Sequence, residues 1–355
     1  MILVDGAPIV DGETEVAPME VLSKLLQHAT VVKAVEKFKE METVTVKPPR
    51  PSGNNDDEEE EEPTAETQPA NAKFIYVFQR EYATVESKVV QFVGTDEVTT
   101  CIGLVIRNPA TGLTSVGHFD SPDYAGKGLK QMITSHNLKE PSTLQVHLVG
   151  AYDDALDNGD AGYEGDEMDL YSAPLSLEIM DTLHKSKHKF EMGYLCILEH
   201  NSEVGPTGYA RPVISGLVVD TESGAVMPAR FERGARGPDS TVRKICSTTA
   251  LSDPSWEPSL LSPYQTHTDS FIIKASKWGR RLVEFASYML TLDDEDFLQK
   301  YSTSPYAEGP EFVDNCRRVF RYMVQFPDWE HTFPGWKSRV FVRTDEGGWI
   351  QQHSP

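Results

Sequence analysis

The chain carries the stretch TTCIGLVIRNPATGLTSVGH between Thr99 and His118, and this stretch predicts a β-hairpin. Its first half, which ends at Arg107, is apolar and β-branched, as expected of a strand. The middle, NPATG, is turn-prone. The half from Leu113 to His118 alternates weakly between apolar and polar residues and can return antiparallel. The sequence therefore predicts a sheet with a hairpin at its centre.

The predicted hairpin brings a thiol and an imidazole together. If the chain reverses directly after Pro109, Cys101 lies opposite His118 on one face of the sheet, with Cβ atoms about 4.5–5.5 Å apart. Gly103 then leaves open space beside the sulfur. A thiol beside an imidazole can form a thiolate nucleophile, and we interpret the pair as catalytic. A buried structural cysteine and a histidine that only satisfies a local hydrogen bond are the alternative.

A Cys–His pair can attack an amide or ester carbonyl. The thiolate adds, and the histidine accepts the thiol proton and later protonates the departing nitrogen. Backbone N–H groups near the nucleophile would bind the oxyanion, with Cys101 and Ile102 as the natural donors and Thr100 beside them. An acceptor must also fix the imidazole tautomer. Thr99 and Asp120, which the same register places opposite each other, are candidates, and a loop carbonyl would serve equally well.

Composition excludes several classes of function. The 355 residues carry a net charge of −22, and the run from Asp56 to Glu62 supplies seven of the negative charges. Acidic proteins repel phosphate backbones, so we expect no nucleic-acid partner. No run of about 18 apolar residues is present, and the N-terminus lacks a basic region before an apolar core, so we expect neither a membrane span nor a signal peptide.

The four cysteines are far apart and show no CxxC spacing, which argues against a zinc site and a disulfide framework. Reduced thiols suit the cytoplasm or the nucleus. We expect Cys196 in the core and Cys316 in the core or at its boundary, whereas Cys246 follows a basic, glycine-containing stretch that allows exposure.

Hairpins mixed with helices favour an α+β fold, a mixed α/β sandwich with a largely antiparallel central sheet packed by helices. Residues 1–47 form an N-terminal helical segment, with one helix face over Val21–Met41. Residues 48–72 are acidic and Pro-rich and predict a disordered insertion. Residues 73–340 form the main domain and 341–355 a C-terminal tail. The elements predicted in the main domain are strands over 74–78, 87–93, 99–107, 113–118, 143–150, 193–198, 213–220 and 271–275 and helices over 127–136, 175–188, 293–301 and 311–325.

Five segments resemble the protein N-terminal asparagine amidohydrolases, the deamidases that convert an N-terminal Asn to Asp in the Arg/N-degron pathway. Two are long and specific, namely GTDEVTTC over 94–101 and STSPYAE over 302–308. The others are QRE over 79–81, HFD over 118–120 and VHLVG over 146–150. The spacing of seventeen residues between Cys101 and His118 also resembles bacterial chemoreceptor glutamine deamidases, which use a Cys–His pair on a similar sandwich.

The resemblance implies hydrolysis of the side-chain amide of an N-terminal asparagine through a cysteine thioester, without a metal or cofactor. The substrates would be proteins or peptides with a free N-terminal Asn, upstream of the arginyl-transferase machinery. Terminal selectivity then needs a group that binds the α-ammonium, and Glu81, Asp120 and Glu308 are the candidates. Glu81 can equally form an ion pair. The hydroxyls of Ser302, Thr303 and Ser304 could bind the substrate backbone or form the N-cap of a helix.

Two other functions stay open from the sequence. One is a Cys–His deamidase that acts on Gln or on internal amides. The other is a non-catalytic acidic adaptor on a deamidase-like fold, which would not require an intact Cys101 and His118.

Overall fold

A computed structural model describes residues 1–10, 16–49, 72–158, 170–205, 208–250, 257 and 259–352. The α-helices within these ranges are α1 (Pro18–Leu26), α2 (Ala29–Lys39), α3 (Pro122–Ser135), α4 (Ser172–His184), α5 (Ser240–Ala250), α6 (Arg280–Met289), α7 (Asp294–Tyr301) and α8 (Phe312–Gln325). The strands are β1 (Ile2–Val4), β2 (Ala7–Pro8), β3 (Val44–Val46), β4 (Phe74–Tyr76), β5 (Tyr82–Val85), β6 (Phe92–Thr95), β7 (Ile102–Arg107), β8 (Thr114–Phe119), β9 (Thr143–Tyr152), β10 (Lys189–Leu198), β11 (Ser202–Val204), β12 (Ala210–Pro212), β13 (Leu217–Asp220), β14 (Val226–Phe231), β15 (Tyr264–Gln265), β16 (Ser270–Ile273), β17 (Arg339–Arg343) and β18 (Trp349–Gln352).

A seven-stranded sheet in the order β2-β1-β10-β9-β7-β8-β5 forms the centre of the molecule. Its strand pairs are antiparallel except β1 with β10 and β10 with β9. Strand β7 is apolar on both faces because the sheet is covered on both sides. Ile102, Leu104 and Ile106 pack in a core with residues of α1, α3 and α4. The α+β class and the largely antiparallel central sheet are confirmed.

A second, five-stranded sheet in the order β3-β14-β13-β6-β4 shares a core with the other face of β7. Val105 and Val149 of the central sheet belong to this core together with Val93, Leu217 and Val219 of the second sheet. The same core continues into α5, α6, α7 and α8 and into a four-stranded sheet in the order β15-β16-β17-β18. Successive side chains along β7 and β8 therefore point alternately towards the helices and towards the second sheet.

The β7–β8 hairpin forms as predicted, but its register is shifted by two. His118 pairs with Gly103, and Arg107 pairs with Thr114. The prediction that Cys101 lies directly opposite His118 is therefore wrong, and the two residues are diagonal neighbours on one face. The predicted two-residue loop requires a positive φ at its first residue, which proline cannot adopt. The chain instead reverses over Pro109–Gly112, and Asn108 N–H donates to Leu113 O at 2.9 Å.

Other predictions also need correction. The helix expected over Val21–Met41 is two helices, α1 and α2, which are separated at Gln27 and His28. Cys246 is buried in α5, a helix that the sequence did not reveal, whereas Cys196 and Cys316 are buried as expected. Residues 341–352 are part of the fold, because β17 and β18 complete the four-stranded sheet.

The N-terminal 47 residues contribute β1 to the central sheet and so pack with the main domain. Most of the acidic insertion predicted over 48–72 lies outside the described residues, as do residues 159–169 of the second acidic loop. In the parts of the chain that the structure describes, no helix is long and apolar enough to span a membrane.

Candidate active site

Cys101 lies immediately before β7, where a neighbouring strand holds the backbone. Cys101 O accepts a hydrogen bond from Ala151 N at 2.7 Å, and Thr99 O accepts one from Tyr152 N at 3.1 Å. This close approach needs Gly150, which has a φ of 117° and whose added Cβ would lie 2.3 Å from Cys101 O. The thiol is thus fixed at the start of a rigid strand, and the residue is 9% exposed.

Thr95 of the second sheet orients His118. The Thr95 hydroxyl donates its one proton to Val77 O at 2.7 Å, so it can only accept at its 2.8 Å contact with His118 Nδ1. The proton of the neutral imidazole is therefore on Nδ1, and Nε2 carries the free lone pair. Nε2 is buried and has no hydrogen-bond partner in the described part of the chain. A base for the thiol is available, at a diagonal position whose Cα separation is about 7–8 Å in an antiparallel pair.

The resting pair is neutral. Burial lowers the pKa of His118 to about 3. Burial also raises the pKa of the Cys101 thiol well above its usual value, and the nearby carboxylates of Asp120 and Glu308 raise it further while Arg80 opposes them. Cys101 is therefore not a preformed thiolate, and its proton must move to a base during the attack.

The turn before β5 covers the end of β8. Arg80 N–H donates to His118 O at 2.9 Å, and His118 N–H donates to Glu81 O at 3.0 Å. The turn directs two side chains to Asp120. Arg80 Nη2 and Gln79 Nε2 both contact Asp120 Oδ2 at 2.6 Å, and Gln79 Nε2 lies 3.9 Å from Cys101 Sγ.

The segment 302–308 covers the nucleophile from the other side. Ser304 Oγ donates to Thr99 Oγ1 at 2.8 Å, and the hydroxyls of Thr100 and Thr303 are 3.0 Å apart. Glu308 accepts from Ser302, and its Oε1 lies 3.3 Å from Ser304 Oγ. Burial raises the pKa of Glu308 to about 7. Glu308 forms no ion pair with any residue that the structure describes.

Taken together, a thiol, an oriented imidazole and two carboxylates meet at one end of the sandwich. Comparison with known proteins identifies the family to which this arrangement belongs. The family model for protein N-terminal asparagine amidohydrolases matches residues 64–351, most of the chain.

This chain belongs to that family.

Similar proteins from several organisms carry the name Protein N-terminal asparagine amidohydrolase. The Arabidopsis thaliana protein is 42% identical over 279 residues, which cover 78% of this chain and 80% of the relative. The Mus musculus and Homo sapiens proteins are 27% and 26% identical over 287 residues, which cover 79% of this chain and 84% of each relative. The resemblance inferred from five short segments is therefore confirmed.

The structure assembles some of the predicted site residues of this amidohydrolase-family chain and gives others a different role. The structure brings Cys101, His118, Asp120 and Glu308 together, and Thr100 and Ser302–Ser304 surround them. Ile102 is part of the ladder and pairs with Phe119. The predicted pairing of Thr99 with Asp120 is wrong, because Thr99 lies outside the ladder and bonds to Ser304. The segment 302–304 is not a helix N-cap either, since α7 ends at Tyr301 and α8 starts at Phe312.

Glu81 has the structural role that the sequence left open as an alternative. Arg243 Nη2 contacts Glu81 Oε2 at 2.5 Å, Arg243 Nε donates to Oε1 at 3.2 Å, and Phe78 N–H donates to Oε2 at 3.1 Å. Both carboxylate oxygens are occupied and the residue is 2% exposed, so the carboxylate is not available to bind a substrate's α-ammonium.

Sequence reasoning missed Thr95 and Gln79. Thr95 comes from the other sheet of the sandwich, and no periodicity within one strand reveals which hydroxyl of a facing sheet meets a histidine. Both residues lie in segments that carried the family resemblance, 94–101 and 79–81, and that was the one signal for them.

Proposed function

We propose that this protein hydrolyses the side-chain amide of an N-terminal asparagine to aspartate and ammonia through a thioester on Cys101. The observation that carries the proposal is the free Nε2 lone pair of His118, fixed by Thr95 on the same face as the thiol. The names of the relatives and of the family support the choice of substrate.

The first half of the reaction transfers the acyl group to sulfur. His118 Nε2 takes the proton of Cys101 Sγ as the sulfur bonds to the side-chain carbonyl carbon, and the carbonyl π pair moves to oxygen. When the oxyanion collapses, the carbon–nitrogen bond breaks. The imidazolium of His118 gives its proton to the departing NH2 group, which leaves as ammonia.

The second half releases the product. A water loses a proton to His118 Nε2 while its oxygen bonds to the thioester carbon. The second tetrahedral intermediate expels the sulfur, which recovers its proton from the imidazolium. The net reaction consumes one water and yields the aspartate side chain and ammonia, and the enzyme returns to its resting state.

The charges around the thiol favour a substrate with a free α-ammonium. Asp120 is balanced by Arg80, whereas Glu308 contacts the hydroxyls of Ser302 and Ser304 and forms no ion pair within the described ranges. Asp120 Oδ1 is buried and has no hydrogen-bond partner among the described residues, so it can accept an N–H from a bound ligand. Glu308 with Asp120 Oδ1 is therefore our proposed binding site for the substrate's amine, and Glu81 is no longer a candidate.

The cellular role follows from this chemistry. A new N-terminal aspartate would be a substrate for arginyl transfer, which places the enzyme upstream of the arginyl-transferase machinery of the N-degron pathway. We propose a cytoplasmic, and also nuclear, location on the basis of the unpaired cysteines.

The test is ammonia release from a short peptide that begins with Asn, beside matched Gln-initiated, N-acetylated and internal-Asn peptides. We expect activity on the free Asn terminus alone, and its loss in both Cys101→Ala and His118→Ala. Trapping of a mass adduct on Cys101 after acid quench would identify the thioester. Folded protein that releases no ammonia from any peptide would refute the proposal and favour the non-catalytic adaptor. Release from the Gln or internal-Asn peptide would favour the other deamidase.

A further inference from the structure

We propose that Gln79 is a catalytic residue that donates its side-chain N–H to the oxyanion formed at Cys101. This inference rests on the proposed function and assigns the oxyanion site for that reaction. Within the sequence, Gln79 is part of a short QRE segment with no evident chemistry of its own, and only the fold brings it to the thiol.

The position of Gln79 is unusual for an exposed glutamine. Its Nε2 lies 3.9 Å from Cys101 Sγ, although the two residues are 22 apart in the chain. The turn that carries it is fixed by backbone hydrogen bonds to both the N–H and the carbonyl of His118. The amide is therefore held beside the sulfur by the same turn that borders the general base.

The contact with Asp120 determines which end of the amide faces the sulfur. A carboxylate only accepts hydrogen bonds, so the atom 2.6 Å from Asp120 Oδ2 must be the nitrogen of Gln79 and not its oxygen. The NH2 group has two protons. One is used by Asp120, and the second remains for an acceptor near the sulfur.

Asp120 is in turn held in place by Arg80. The Asp120 side chain is 6% exposed, and Arg80 Nη2 lies 2.6 Å from its Oδ2. Arg80 Nη1 also donates to Ser247 O at 3.2 Å. Burial raises the pKa of Asp120, and the Arg80 guanidinium opposes this rise and favours the ionised, accepting form. Arg80 and Asp120 therefore act as positioning residues for the Gln79 amide.

A second donor completes the site. Cys101 precedes the first ladder residue, and its backbone N–H donates no hydrogen bond to any described residue. The Cys101 N–H and the Gln79 Nε2–H, whose acceptor in the resting protein is the sulfur at 3.9 Å, are thus both available to the oxygen of a carbonyl carbon bonded to Sγ. Donors that are fixed before the reaction stabilise the charge on that oxygen without reorganisation.

The test compares two reactions of the same thiol. Amide hydrolysis passes through an oxyanion, whereas alkylation of Cys101 by iodoacetamide displaces iodide at a saturated carbon and forms none. We expect Gln79→Ala to lower kcat for the Asn peptide about 10²–10³-fold, with a change in KM of less than about threefold. The alkylation rate of Cys101, followed by mass spectrometry at the same pH, should change by less than about threefold.

The controls separate the possible failures. Gln27→Ala removes an exposed glutamine at the C-terminal end of α1, where its side chain contacts Ser23. This variant should affect neither reaction. Gln79→Asn, which retains an amide on a shorter side chain, should restore little of the lost activity. Equal losses in hydrolysis and alkylation would overturn the proposal, because Gln79 would then only position the thiol. Unchanged hydrolysis would overturn it too. Inactive wild-type protein would instead refute the proposed function.

Discussion

At the scale of single residues, Thr95 decides which nitrogen of His118 carries the proton. Its hydroxyl has one proton, and Val77 O takes it, so the imidazole must donate from Nδ1. The pKa of about 3 for His118 reflects the same burial and keeps Nε2 unprotonated over the whole neutral range.

We therefore predict that Thr95→Val lowers kcat about 10–100-fold, because the imidazole loses its fixed tautomer and orientation and with them part of the benefit of general acid–base catalysis. Thr95→Ser retains the hydroxyl and should keep most of the activity. Steady-state kinetics on the Asn peptide, with circular dichroism to verify folding, would measure both. Equal activity of the valine and serine variants would contradict the assignment.

Glu308 gives a prediction for pH. Its pKa of about 7 means that the carboxyl is mostly protonated below this pH and ionised above it. Only the ionised form attracts the substrate's α-ammonium, whose own pKa is about 7.7–8.0. We expect kcat/KM to rise with pH through about 7 and to fall again above about 8, as the substrate loses its charge.

In Glu308→Gln, the acid limb of this profile should disappear and kcat/KM should fall. The neighbouring exposed residue offers a matched control, Glu311→Gln, which should leave the profile unchanged. Peptide kinetics between pH 5.5 and 9 would show this, and an acid limb that persists in Glu308→Gln would assign the titration to another group.

Cys101 and His118 could be predicted from the sequence because both lie in one hairpin. Side chains alternate between the two faces of a strand, and this alternation places both residues on one face. It could not distinguish the three candidate carboxylates. Glu81, Asp120 and Glu308 have the same charge, and the structure distinguishes them by their partners. Arg243 pairs with Glu81 and Arg80 with Asp120, whereas Glu308 forms no ion pair with any described residue.

At the scale of elements, the turn before β5 depends on one buried ion pair. Glu81 and Arg243 are 2% and 1% exposed, and Arg243 also donates to Tyr76 O and Arg236 O. The guanidinium packs against the rings of Phe78 and Phe271. This pair connects α5 to the turn that carries Gln79 and Arg80.

We predict that Arg243→Met destabilises the fold by about 3–5 kcal/mol, because Glu81 is left buried without a counter-charge. The matched control is Arg280→Met, which breaks an exposed pair with Glu284 and should cost less than about 1 kcal/mol. Urea unfolding of both variants would measure the difference. Similar stabilities would show that Glu81 is solvated or protonated in the folded protein.

Part of the secondary structure could be predicted from the sequence. The strands near 74, 102, 114, 143 and 270 and the helices near 122, 172, 294 and 312 were predicted because each has a clear apolar period. The register of the central hairpin was wrong because the prediction ignored the fixed φ of Pro109. Helix α5 was missed because two buried arginines, Arg236 and Arg243, make its surroundings look like a surface loop.

At the scale of the whole molecule, residues 341–352 belong to the fold. Phe341 is buried in the shared core, and the ring of Trp349 contacts that of Phe271 with centroids 4.8 Å apart. The family match, which extends to residue 351, agrees with this boundary.

A chain that ends after residue 340 should therefore lose more than about 10 °C in Tm or fail to fold. It exposes the edge of β16 and removes Phe341 and Trp349, which pack on the shared core. A chain that ends after residue 352 is the control and should melt within about 1 °C of the full chain. Differential scanning calorimetry would compare them. A stable, active 1–340 protein would instead support the prediction that residues 341–355 are a tail outside the main domain.

The hydrogen bond between Thr99 and Ser304 joins residues that are 205 positions apart. A ribosome that adds about 5–20 residues per second needs roughly 10–40 s to cover that distance. For this time the nascent chain carries a finished nucleophile segment without the loop that covers it. The thiol is therefore most vulnerable to oxidants before residues 302–308 have been synthesised, and catalytic competence cannot arise earlier than that.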